Sequence, residues 1–298
     1  MNRVGTSLIQ DVYVYAGHRV SNMWRGKTVE ETVGPYLESV DRHFSMFQTI
    51  GQSKDRTWNV EYILGNQIIE RLSQASLSKT LFVIPAGESS NLDNAFSGEE
   101  IAILRRSISE GMKLYATCGS AYWLARQRIW NHKSLDADNP TYKKGLVNIF
   151  PGAAMGPLCP YPGQSFGTAF FHESIRVETN LSSLNLLSSG GGSFFLQDDE
   201  VGVKSIARYS REELQRLGKG PEWENAVVSC EYGEGKAILS MVLPEESKEV
   251  SAEIFRTTFP DRQDNWERLQ SSLSPLEQRM DFISEVLEHF ETEVQARL

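Results

Sequence analysis

The stretch TLFVIPAG, residues 80–87, constrains the fold more than any other part of the chain. Its apolar run stops abruptly at Pro85 and Gly87, which reads as a buried strand running into a tight turn. The segments around it alternate in kind. DVYVYAG (11–17) reads as a first strand closed by a glycine turn, a helix-like region containing TVEETVGPYLESV follows, and FSMFQTIG (44–51) reads as a second strand. EYILGNQIIERLSQ has helical spacing, with Ile63, Ile68, Ile69 and Leu72 as its apolar positions. SGEEIAILRRSISEG reads as a helix with a capping box of Ser97 and Glu100, a stop at Gly111, and Ile101, Leu104 and Ile108 along one face. In KLYATCGSAYW (113–123), Met112, Leu114, Tyr115 and Ala116 read as a short buried strand, and a helix is expected from Ala121 to Ile129. This alternation predicts an α/β fold, a mostly parallel sheet with helices on both faces. Ligands of such sheets bind beyond the carboxyl ends of the strands, and the loops starting at Gly17, Gly87 and Cys118 all lie on that edge.

The pattern changes after a polar, turn-rich excursion at residues 131–145. SFGTAFF, SIRVET, SFFLQ, KSIARYS, AVVSCEYG and KAILSMVL read as closely spaced short strands, the last two as a hairpin turning at Gly233 to Gly235. A C-terminal helix is expected after Ser274 as cap and Pro275 as first residue, with Glu277 completing the box and an apolar stripe of Leu276, Met280, Ile283, Leu287 and Phe290. The expected organisation is one domain over residues 1–250 with a helical extension, 251–298, packed on it.

Composition narrows the function. The net charge of −9 disfavours nucleic acid and anionic membrane surfaces as partners. No apolar stretch is long enough to span a membrane, and MNRVGTSLIQDVYVYAG lacks the layout of a signal peptide. Cys118, Cys159 and Cys230 are few and far apart, with no CxxC pair, so neither a disulfide framework nor a Cys-rich zinc site is expected and a cytoplasmic setting is. No cofactor or metal is expected. SGGGS (189–193) lacks the Lys-Ser/Thr ending of a phosphate loop and reads as a tight crossing between strands.

Six stretches in order carry a resemblance: VYVYAG, FVIPAGESSNL, YATCGSAYW, FPGAAMGPLCPYPG (150–163), SSGGGSFF (188–195) and YGEGKAILSMVLPE (232–245). Together they resemble the N-terminal domain of eukaryotic-type biotin–protein ligases, which has the class I glutamine amidotransferase-like fold. Nothing in the chain resembles the Gly/Arg-rich adenylate loop of the biotin-transferring part, so biotin ligation is not expected. The resemblance implies Cys118 as an elbow nucleophile, Gly119 and Gly87 as oxyanion donors, and Glu88 as a nearby binding acid. It also implies a His-Pro-Glu segment after the last strand. Here that segment is Leu243-Pro244-Glu245, so the orienting glutamate is kept and the base is missing. Ala116 and Ser120 stand where glycine is usual.

A cysteine-dependent hydrolase or amidase acting on an unknown small substrate is the leading expectation, with His18 as substitute base because it follows the first strand on the ligand-binding edge. His172 is the second candidate base. His43, His132 and His289 are expected to be merely solvated. The alternatives are a non-catalytic domain binding a small molecule or a protein, and a redox-sensing thiol. A helix N-terminus at Cys118 is expected to lower its pKa, while Cys159 and Cys230 are expected to be structural.

Overall fold

The computed structural model describes residues 9–24, 27–52, 56–130, 141–158, 172–196, 202–246, 267, 269 and 271–290. The strands are β1 (Asp11–Tyr15), β2 (His18–Trp24), β3 (Lys27–Val33), β4 (Asn59–Ile63), β5 (Thr80–Ile84), β6 (Lys113–Thr117), β7 (Ala125–Trp130), β8 (Thr141–Lys144), β9 (Phe150–Gly156), β10 (His172–Glu178), β11 (Ser183–Ser189), β12 (Ser193–Phe195), β13 (Val203–Tyr209), β14 (Asn225–Tyr232) and β15 (Gly235–Ser240). The helices are α1 (Leu37–Gly51), α2 (Ile68–Gln74), α3 (Ser89–Ala95), α4 (Gly98–Ser109), α5 (Cys118–Trp123), α6 (Arg211–Arg216) and α7 (Leu276–Glu288).

The fold is α/β. Its nine-stranded sheet has the order β11-β10-β13-β14-β15-β6-β5-β1-β4. β4, β1, β5, β6 and β15 run parallel. From β15 outward through β14, β13, β10 and β11 the pairing is antiparallel. Side chains alternate between faces along each strand. Val12 and Val14 of β1 enter one core with Val40 and Phe47 of α1 and Phe282, Ile283 and Val286 of α7. Tyr13 and Tyr15 enter the other core, with Leu72 of α2, Leu104 and Ile108 of α4, and Trp123 of α5. Helices therefore cover both faces, and β5 and β6 are buried at every residue.

Three expected elements come out differently. FSMFQTIG is the second half of α1, not a strand: Val40, His43, Phe47 and Ile50 recur at helical spacing and are buried on one face. The helix expected over 121–129 stops at Trp123, and the following residues form β7, which pairs with β8 and β9 in a second sheet ordered β12-β9-β7-β8. Ser274 does not cap α7. Pro275 occupies the cap position, and the Ser274 hydroxyl accepts the backbone N–H of Asn185 at 3.0 Å. The α7 stripe is also shifted from the one expected, since Leu276 is 55 % exposed while Phe282 and Val286 join Ile283, Leu287 and Phe290 in the core. SFGTAFF, Cys159 and His132 lie outside the described residues.

Candidate functional site

The elbow sits at the carboxyl end of β6, in the middle of the parallel strands. Cys118 has φ +54°, a left-handed conformation that costs a non-glycine residue about 1–2 kcal/mol. Close packing holds it there. A Cβ on Gly119 would collide with the carbonyl oxygen of Gly87, and one on Gly87 would lie 2.8 Å from Pro35 Cα. The elbow and the PAG loop are therefore pressed backbone to backbone, which only glycine permits. Ser120, in a usual glycine position, uses its side chain as a tie, donating its hydroxyl to Pro85 O at 2.5 Å.

The thiol is not activated by this arrangement. Burial pushes Cys118 up to about 11, from an ordinary 9.0; the Gly119 amide at the sulfur works against that rise and the negative charge of Glu245 adds to it. This reverses the expectation that the helix N-terminus would lower it. Cys118 is partly exposed, yet its six-residue helix start does not offset the desolvation of the sulfur and the charge of Glu245. Cys118 Sγ donates instead to Ser189 O at 3.7 Å. Cys230, on β14, is fully buried and raised to about 12, also by burial.

Leu243 fills the place implied for the base. Its N–H donates to Leu187 O at 2.8 Å, forming an isolated antiparallel bridge to β11. Its side chain belongs to a small apolar cluster with Ala86, Leu187, Leu269 and Leu273, and Cys118 packs against that cluster.

Glu245 is buried, and neither carboxylate oxygen has a hydrogen-bond partner among the described residues. His43 Nε2 lies 3.6 Å from Glu245 Oε1, with both side chains wholly inaccessible. His43 Nδ1 bonds Ser39 O at 2.7 Å, and Nε2 lies 3.2 Å from the hydroxyl of Thr117, the residue before Cys118. Arg42 beside it pairs with Glu246, and burial lowers its guanidinium, with Glu245 and Glu38 acting the other way. His43 was expected to be solvated because its segment read as a strand start. Read with helical spacing, it lies on the buried stripe with Val40, Phe47 and Ile50, and that signal could have found it.

His18 is differently engaged. Tyr15 OH lies 2.5 Å from its Nδ1, and its Nε2 lies 2.7 Å from Glu100 Oε1. Both ring nitrogens are occupied, so the substitute-base expectation finds no free nitrogen for the sulfur. Glu100 also accepts from the Ser97 amide and hydroxyl, each at 2.7 Å, and completes the expected capping box of α4. Glu88 is exposed at the cap position of α3, where it accepts from Tyr36 OH at 3.4 Å and Ser90 Oγ at 3.5 Å. The Tyr36 phenol, though 40 % exposed, is raised by partial desolvation, with Glu88 and Cys118 adding to the rise. The backbone of His172 pairs with Ser189 across β10 and β11. His289 follows the end of α7. Among the described residues no group of three metal-ligating side chains occurs, and no helix is long and apolar enough to cross a membrane.

With Cys118, the PAG loop and Leu243-Pro244-Glu245 in place, comparison with known proteins is direct. The family model described as biotin-protein ligase, N terminal, matches residues 34–297. The chain belongs to this family. The match runs past residue 250, so α7 falls within it. A biotin–protein ligase of Schizosaccharomyces pombe is 24 % identical over 179 residues, which is 58 % of this chain and 27 % of that protein. The chain thus spans about a quarter of the curated relative it matches. Among solved structures, a glutamine amidotransferase from Thermotoga maritima is similar with TM-score 0.49 and 11 % identity, covering 94 % of this chain and 97 % of that one. Another glutamine amidotransferase is similar with TM-score 0.42 and 17 % identity, covering 80 % and 98 %.

Proposed function

We propose that this chain is a non-catalytic binding domain that takes a small molecule at the carboxyl edge of its sheet, in a cytoplasmic setting and without nucleic acid or membrane as partner. The observation that carries the reading is Leu243: where an active relative would hold an imidazole, an aliphatic side chain packs with the thiol, and its N–H is bonded to Leu187. A general base contributes a factor of about 10² to 10⁴, and a thiol raised to about 11 has little thiolate at neutral pH to compensate.

The test is a glutaminase assay on the wild-type chain and on Cys118→Ala. The reading expects both to be indistinguishable from buffer. Turnover near one per second that Cys118→Ala abolishes would overturn it.

One observation favours a second reading, a cysteine-dependent hydrolase. The left-handed Cys118 and the glycine contact at Gly87 and Gly119 are kept, and an elbow that only binds has no need of that strain. In that reading Cys118 attacks, Gly87 and Gly119 hold the oxyanion, and Glu245 and a histidine supply the base. His18 is the weaker histidine, being bound to Glu100 and Tyr15.

A further inference from the structure

We propose that the depression between α4 and the β14–β15 hairpin is a second ligand site, one that takes a phosphate monoester with a compact ring. The site is independent of the reading of Cys118. Strand register puts Lys113 of β6 beside Lys236 of β15 at one end of the sheet and Thr117 beside Ser240 at the other. Cys118 follows Thr117, so the elbow lies on the carboxyl edge, and the depression, at Tyr232 and Gly233, lies on the amino edge.

The depression has a volume of about 440 Å³ and is lined by Ala102, Arg105, Arg106, Ser109, Tyr232 and Gly233. The four α4 residues recur at i, i+3, i+4 and i+7, so they share one face of the helix. The opposite wall is fixed by close packing. Gly233 has φ +64°, and a Cβ there would lie 2.5 Å from Ser109 O. The Glu234 N–H donates to the same carbonyl at 2.8 Å. Ala102 leaves room on the helix side that a longer side chain would fill.

Two guanidiniums line this space without an acidic partner. Arg105 Nε donates to Tyr232 OH at 2.9 Å, and its Cζ lies 6.0 Å from the centre of that ring. Neither Arg105 nor Arg106 is ion-paired among the described residues, although the chain has 39 acidic side chains against 30 lysines and arginines. Nor are they needed to cap the helix. Arg106 O, Ser107 O, Ile108 O and Ser109 O already accept the N–H groups of Glu110, Met112, Gly111 and Glu234. The Ser109 hydroxyl makes no hydrogen bond among the described residues. Two planar forks and a hydroxyl suit the several oxygens of a phosphate better than the two of a carboxylate. The Tyr232 ring offers a planar wall for a ring on the ligand.

The experiment titrates the full chain with phenyl phosphate by isothermal titration calorimetry, at fixed pH and ionic strength. Arg105→Gln with Arg106→Gln removes the charge of the site, and Ala102→Leu fills its space while keeping the charge. Arg208→Gln with Arg216→Gln removes the same charge elsewhere, since Arg208 pairs with Asn225 at the far end of β14 from Tyr232. All five positions are exposed. The expected result is saturable binding to the wild type and a loss of about tenfold or more in each site variant, as charge-assisted bonds or space are removed. The charge control is expected to stay within about twofold of wild type, and inorganic phosphate to bind about tenfold more weakly than phenyl phosphate because it leaves the Tyr232 ring uncovered. The proposal is overturned if binding is absent, if the charge control falls with the site variants, if Ala102→Leu binds as the wild type does, or if the two phosphates bind alike. None of these outcomes bears on turnover at Cys118, which decides the function proposed above.

Discussion

Leu243 cannot accept a proton, and its backbone N–H is already given to Leu187 O at 2.8 Å. Restoring an imidazole there tests both the chemistry and the packing. Leu243→His puts a polar ring into an apolar cluster, so a loss of about 1–3 kcal/mol in unfolding free energy is expected by denaturant titration. It also places a cationisable group beside the thiol, so the Cys118 alkylation profile should move to lower pH. An unchanged profile would mean that position 243 does not reach the sulfur. Glu245 acts in the opposite sense. Its charge raises the thiol, so Glu245→Gln should increase Cys118 labelling at pH 8; a decrease would contradict the assigned direction. The same residue also faces α1. It lies 3.6 Å from His43 in a fully inaccessible pair linking α1 to the segment after β15.

At the scale of elements, α4 and α7 carry the ties that set the site's surroundings. Burial alone would raise Glu100, but hydrogen bonds from His18 and from Ser97 outweigh it and hold the carboxyl below its ordinary 4.5. A depressed carboxyl contributes stability that is present above its unfolded pKa and lost as pH falls through the folded one. Glu100→Gln should therefore flatten the acid limb of stability below about pH 4.5, as read by thermal melts from pH 3 to 7. An acid limb identical to wild type would remove the His18–Glu100 tie from the account. Arg279 of α7 is 2 % exposed and donates to Ser274 O, Pro244 O and Glu246 O, clamping the Leu-Pro-Glu segment from behind. Arg279→Ala strips donors from three carbonyls, and a loss of about 3 kcal/mol is expected. A loss below about 1 kcal/mol would show that the clamp adds little.

Seen as a whole molecule, the legible parts were those whose local pattern agrees with their packing. TLFVIPAG, the Ser97–Glu100 capping box and the hairpin turning at Gly233 all form as their residues imply. The failures are places where distant pairing decides. In FSMFQTIG the aromatic and apolar residues suit a strand as well as a helix, and packing of Val40 and Phe47 in the core with β1, and of His43 against Tyr115 and Thr117 of β6, selects the helix. The residues after Trp123 become β7 because β8 and β9 offer it a sheet. The sharp turn from β6 into α5 at Cys118, packed against the PAG loop through Gly87 and Gly119, was readable in sequence. Its environment was not, because His43, Ser189 and the pair Leu269 and Leu273 come to it from three separate parts of the chain.

The central claim is that Cys118 stays a protonated thiol at neutral pH, in an elbow kept for binding. The most direct measurement is the rate of Cys118 alkylation by iodoacetamide from pH 6 to 11.5 on the folded wild-type chain, with Cys230 as the unfolding control. The account predicts a rate still climbing at pH 9.5 and an apparent pKa near 11. A profile that levels off below pH 8 would show an activated thiolate and contradict it.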